Sequence, residues 1–189
     1  YLRRGARLST TPPDPDEGSS GYTFDPASPC PSIGGNNQQT DDLPDFILPG
    51  PRDQRCRADF AACRGCDTDL GERADVLRFC SAPLTHDTEV TGDLLCELWV
   101  SSDAPDTDFV VRLIDQYPVS PLHPEGLALL ISEGALRMRY RDALSTADLI
   151  EPGETYCISI ELAPTSNVFK VGNLIRLDIP SSAFPAYDV

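Results

Sequence analysis

Seven cysteines, two histidines and a surplus of carboxylates are the groups in this 189-residue chain that could do chemistry. Cys63-Arg-Gly-Cys66 has the gap of a metal-ligating pair, with Cys56 before it and Cys80 after it. A structural zinc site wants a second close pair or a Cys/His knuckle, and His86 and His123 stand alone, so disulfides are favoured over metal. Cys96 shares an alternating apolar face with Leu94, Leu98 and Val100, and is expected to be the buried, inert seventh thiol. Cys157 alternates onto a polar face with Ser159 and Glu161. Cys30, Cys56, Cys63, Cys66, Cys80 and Cys157 are then the candidates for bridges, at least one of them within residues 56–73. Bridges belong to an oxidising compartment, which makes the expected location extracellular.

The remaining constellations are weaker. Asp103, Asp106 and Asp108 could ligate calcium, but the loop lacks the placed glycine and closing glutamate of a calcium hand, so a capped turn is expected. Arg137, Arg139 and Arg141 alternate along one predicted strand, where ion pairing is favoured over anion recognition in so acidic a chain. Trp99, Tyr117 and Tyr140 could stack on a sugar ring, although scattered aromatics in a β-protein usually belong to the core. Gly18-Ser-Ser-Gly21 has the wrong spacing for a nucleophile elbow, and neither histidine sits where a carboxylate would orient it. No catalytic residue, metal or cofactor is therefore expected in this chain.

The elements that must position these groups are strands. Leu94–Val100 and Phe109–Ile114 alternate with period two on either side of Ser101–Asp108, which predicts two half-buried strands joined by a polar loop. Leu77 and Phe79, Leu136–Tyr140, Tyr156–Leu162 and Ile175–Ile179 repeat the pattern, with turns at Gly92-Asp93, Pro152-Gly153 and Gly172-Asn173. Asp142–Ile150 could hold a short helix. Several short strands with one apolar face each predict a sandwich. A net charge of −15 disfavours nucleic acid and anionic membrane surfaces, and no apolar stretch is long enough to span a bilayer. The chain has no initiator Met and reads as an excised or mature portion of something longer.

Val90-Thr-Gly92, Glu97-Leu-Trp-Val-Ser-Ser-Asp-Ala-Pro-Asp-Thr-Asp-Phe109 and Val111-Arg-Leu-Ile-Asp115 resemble the C-terminal β-domain of the X-prolyl dipeptidyl-peptidase and cocaine-esterase serine hydrolases. Gly134–Arg141, Ile150–Glu154, Ser166–Phe169 and Ser181–Pro185 extend the likeness. It implies an all-β jelly-roll sandwich of the galactose-binding-like kind over 74–189, lacking the family's last strand. Residues 1–55 become an extended, Pro-rich lead-in tied down by Tyr22, Phe24 and Ile33, and 56–73 a cysteine-rich insertion. The implied partner is an upstream α/β-hydrolase domain acting on X-prolyl peptides or acyl esters. The loop after the paired glycines would border its active site, making Gly34, Gly35, Asn36, Asn37, Gln38, Leu43 and Phe46 the substrate-pocket candidates. A missing last strand would leave an open sheet edge, through which a homo-oligomer or polymer could form. The alternative is an extracellular structural or carbohydrate-binding module without catalysis.

Overall fold

The computed structural model describes residues 1–35, 49–56, 63 and 68–188. Its long strands lie in the apolar stretches of the sequence. They are β3 (Val76–Cys80), β4 (Thr88–Val100), β5 (Asp108–Tyr117), β6 (Leu127–Arg137), β7 (Tyr156–Phe169) and β8 (Leu174–Pro180), preceded by the two-residue β1 (Leu2–Arg3) and β2 (Arg7–Leu8). Six form one sheet in the order β1-β2-β3-β8-β5-β6, and β4 pairs antiparallel with β7 in a second. The inward faces meet in a core that includes Phe79, Leu98, Phe109, Val111, Met138, Ile158, Ile160 and Phe169. This is a β-sandwich.

At one corner the two sheets nearly merge. A Cβ on Gly134 of β6 would lie 2.2 Å from the Glu161 carbonyl oxygen of β7, so only glycine lets the backbones approach this closely. One rung further, Ser132 Oγ donates to the Ala163 carbonyl. The opposite edge of the small sheet is β4, which pairs with β7 alone among the described strands. The side chains record the asymmetry: inward-facing Ile158, Ile160 and Leu162 of β7 are buried, whereas Val90, Leu94, Cys96 and Val100 of β4 are only half-buried.

Several expectations need correction. Phe109–Ile114 is buried on both faces, because the lead-in and the cysteine-rich segment cover the outer side of the large sheet. The strand expected over Leu136–Tyr140, which is β6, does not run to Tyr140. It starts at Leu127 and ends at Arg137, and Met138–Tyr140 turn as a 3-10 helix once the Met138 N–H has bonded the Thr107 carbonyl. Asp142–Ile150 forms no helix and is tied by bonds from Asp148 N to Arg139 O and from Ile150 N to Pro105 O. The lead-in uses ladder bonds as well as side chains, since Leu2 pairs with Leu8 and Arg7 pairs in parallel with Cys80.

Candidate functional site

The paired glycines sit at the base of a loop. Gly35 and Gly50 exchange both backbone hydrogen bonds, at 3.0 and 2.9 Å, so the chain leaving at Gly35 and the chain returning at Gly50 are held side by side. Gly34 has φ +83°, and a Cβ there would meet the Gly50 carbonyl oxygen at 2.5 Å. Both the conformation and the contact demand glycine. Asn36, Asn37, Gln38, Leu43 and Phe46 fall between these two arms and lie outside the described residues.

Buried polar groups hold this neck onto the sheet. Gln54 is 0% exposed, and its Nε2 donates to the Ile33 carbonyl on the incoming arm at 2.7 Å and the Arg52 carbonyl on the outgoing arm at 3.2 Å. Its backbone N–H bonds Ala128 O, and Leu130 N–H bonds Arg52 O, so the outgoing arm lies along β6. On the other side, Arg112 of β5 is fully buried. It donates through Nη2 to the Pro31 carbonyl at 3.0 Å, through Nη1 to Cys30 Sγ at 3.3 Å, and through Nε to Glu133 at 2.7 Å. The incoming arm also bonds the segment after β8: Cys30 N–H to Ser182 Oγ, Ser32 N–H to Phe184 O, and Ser32 Oγ to Ala183 O. Sequence reasoning found the glycine pair but missed Gly50, Gln54 and Arg112. An arginine inside the apolar run Val110–Ile114 was the one available signal, since a buried charge needs partners.

The cysteines divide differently from expectation. Cys56 and Cys63 are disulfide-bonded, with Cα atoms 5.4 Å apart, inside the cysteine-rich segment. Cys30, Cys80 and Cys157, expected in bridges, carry free thiols, as does Cys96. Cys30 is enclosed against Arg112, and burial pushes its thiol pKa up against the pull of that guanidinium. Cys80 lies among Arg78, Arg176 and Asp178 on the large sheet, while Cys157 faces solvent on the small one, with the sandwich core between them. Cys96 is half-buried rather than buried, and desolvation raises its thiol pKa to about 11. Cys66 lies outside the described residues.

The charged motifs resolve into ion pairs. Arg137 grips Asp108 through two bonds, at 2.7 and 2.8 Å, and Arg139 pairs with Asp106. Arg141 pairs with Asp148. Asp106 and Asp108, two of the calcium candidates, are thus occupied by arginine. His86 meets Thr85 Oγ1 at 3.2 Å, and His123 stacks edge-on against Tyr117. Trp99, expected in the core, is 76% exposed on the outer face of β4 beside exposed Cys157 of β7.

A second buried ion cluster anchors the cysteine-rich segment. Asp69 bonds Arg176, which also bonds Asp178 and Gln116. A Cβ on Gly71 would collide with this guanidinium at 2.3 Å, so the described end of the segment, at Asp69–Gly71, lies directly on the large sheet.

The family model for the X-Pro dipeptidyl-peptidase C-terminal non-catalytic domain matches residues 1–189. The chain belongs to this family. Among its relatives, cocaine esterase of Rhodococcus sp. (strain MB1 Bresler) is 38% identical over 176 residues, covering 91% of this chain and 26% of that protein. An α-amino acid ester hydrolase superposes with a TM-score of 0.78 at 29% identity, over 100% of this chain and 29% of that one. An aminopeptidase from a marine-sediment Thaumarchaeota archaeon gives 0.77 at 25% identity, again over 100% of this chain and 29% of the other. The X-Pro dipeptidyl-peptidase C-terminal domain thus spans about a quarter of the length of these relatives. In them it is joined to an N-terminal catalytic domain.

Proposed function

We propose that this chain is the jelly-roll C-terminal portion of a secreted serine hydrolase cleaving X-prolyl peptides or acyl esters, and that it borders the active site of an upstream α/β-hydrolase domain. The carrying observation is the neck. A chain segment closed by the Gly35–Gly50 pair and clamped from both sides by buried Gln54 and Arg112 is built to present what lies between its arms. Leu43 and Phe46 are the apolar residues there that suit an acyl or prolyl group, and Asn36, Asn37 and Gln38 supply donors and acceptors. The Cys56–Cys63 disulfide supports an oxidising, extracellular location. Substituting Phe46→Ala in the intact hydrolase is expected to shift selectivity between small and large acyl groups by roughly 1–3 kcal/mol. Equal kinetics across substrates of different acyl size would leave the loop no place in the pocket.

The free edge of β4 supports a further part of this reading, the pairing of another strand there. Among the described residues β4 (Thr88–Val100, 13 residues) pairs only with β7, so its other edge offers backbone N–H and C=O groups beside side chains that the small sheet leaves half-covered. A non-catalytic carbohydrate-binding role is favoured by one observation, the outward Trp99. Retention on insoluble polysaccharide that is lost in Trp99→Ala would establish that role; no retention would remove it.

A further inference from the structure

The outer face of the small sheet differs in charge from the rest of the molecule. Elsewhere cations are matched: Arg112, Arg137, Arg139, Arg141, Lys170 and Arg176 each hold a carboxylate. The side chains that β4 and β7 turn outward include Glu89, Asp93, Glu97 and Glu161, and neither strand contains a lysine or arginine. These carboxylates make no ion pair with a described residue. Among them stands Trp99, 76% exposed, with Cys157 opposite. Glu97 follows two residues along the same strand, about 7 Å away. Glu97 faces Ser159 and Leu95 faces Glu161, so Glu97 and Glu161 are diagonal neighbours, roughly 7–8 Å apart. Thr91 and Ser166 add hydroxyls, their Oγ atoms 3.1 Å apart across the strands.

Each part of this face narrows what can sit on it. An exposed indole offers a flat apolar surface on which a pyranose ring can stack. Neighbouring carboxylates repel, and a cation placed between them relieves the repulsion. Along β4 the carboxylates recur every four residues, about 13 Å, at Glu89, Asp93 and Glu97. That spread suits a chain of cations rather than a single ion. A protein partner fits less well, because the core of a protein interface is depleted in charge, and here Glu97 stands between the apolar Leu95 and Trp99. The hydrolase domain does not compete for this face if it sits at the neck, since the incoming arm lies on Arg112 of the large sheet with the sandwich core between. We infer that the outer face of the small sheet binds a polysaccharide of amino sugars with free, protonated amines, Trp99 stacking on a ring while Glu97 and Glu161 accept from an ammonium group. This rests on the carbohydrate reading of Trp99 and names the sugar class that reading leaves open.

The test uses the intact hydrolase at mildly acidic pH, where sugar amines are protonated and exposed carboxylates ionised. Two insoluble polymers with the same backbone are compared: chitosan, with free amines, and chitin, whose acetylated nitrogens carry no charge. Binding to chitosan is expected to be about tenfold tighter than to chitin. The double variant Glu97→Gln, Glu161→Gln should bring chitosan to within about twofold of chitin. Trp99→Ala should weaken both by about tenfold, and Trp99→Tyr, which keeps an aromatic face, should restore most of the loss. The double variant Asp14→Asn, Asp16→Asn makes the same change in net charge on the exposed lead-in and should leave chitosan binding unaltered. Equal binding to both polymers, still lost in Trp99→Ala, leaves the carbohydrate reading standing and overturns the amino-sugar inference. Binding to neither, or binding that Trp99→Ala does not weaken, removes both. If the Asp14 and Asp16 variant loses as much as the Glu97 and Glu161 variant, net charge alone explains the attraction and the inference falls. It falls too if poly-lysine displaces the protein from chitosan more effectively than soluble chitosan oligomers at equal amine concentration, which would mark the face as one for a basic protein.

Discussion

Two aspartates of this domain answer to pH in opposite directions. Asp115 is 1% exposed and accepts from Asn173 Nδ2 at 2.8 Å, while its other oxygen has no partner among the described residues. Desolvation raises its pKa above the ordinary carboxylate value. The native state therefore holds this proton more tightly than the unfolded chain, and stability falls as pH rises from the unfolded pKa through the folded one. Asp115→Asn has no such penalty, so its stability relative to the native protein should improve as pH rises from the unfolded carboxylate pKa through the folded one and then level off. Asp69 is the reverse case. Burial works to raise its pKa, but the hydrogen bonds and charge of Arg176 outweigh that and leave it lowered. Its contribution is present above the unfolded pKa and lost as pH falls through the folded one. Asp69→Asn should cost about 1.5–3 kcal/mol at pH 7 and progressively less in acid. Urea unfolding of the three proteins from pH 3 to pH 7 reads both slopes. Parallel curves would mean that neither carboxylate differs between native and unfolded states.

Elements were legible where one rule governed them. β4 shows clean alternation because one face meets the core and the other meets water, so Leu95 and Trp99 are outside while Leu98 is within. Much of β6 was hidden for the opposite reason. The run Leu127–Ile131 packs toward the core on one side and toward the outgoing arm on the other, and a strand covered twice has no polar face to betray its period. The neck was half legible. Gly34-Gly35 marks a turn by itself, but nothing local says that Gly50 is its partner, or that Gln54 turns inward to bond Ile33, because pairing over such distances is fixed by the sheet beneath. The open edge of β4 gives a prediction at this scale. The chain in isolation is expected to self-associate through strand pairing at micromolar to millimolar concentration. Val90→Lys, which points a charge inward from that edge, should reduce association. Sedimentation velocity over a concentration series decides it, with circular dichroism to verify that the variant folds. A native chain that stays monomeric throughout would show that the edge does not recruit its own kind.

At the scale of the whole molecule, the family likeness rested on several short blocks in a fixed order, and these map onto the parts that make the sandwich cohere. The Ser181–Pro185 block binds the incoming arm through Ser182, Ala183 and Phe184, and the Gly134 block closes the corner between the sheets. Chemistry was less legible than architecture. Face alternation and compartment did not reveal which cysteines meet: Cys30 is engaged by an arginine, and Cys80 and Cys157 lie on different sheets. The arginines were better read, because acidic partners were plentiful in the neighbouring sequence.

Trp99 is the chain's one tryptophan, and it stands on the outside of the small sheet. Its emission is therefore set by bulk water in the folded state almost as much as in the unfolded one. Heating or urea should change tryptophan fluorescence little while far-ultraviolet circular dichroism records the loss of both sheets, so an optical assay of folding built on this residue would miss the transition. The same position makes it a sensitive witness to contact. Acrylamide should quench it freely in the isolated domain, and any surface that settles on β4 and β7 should shift its emission to the blue and shield it.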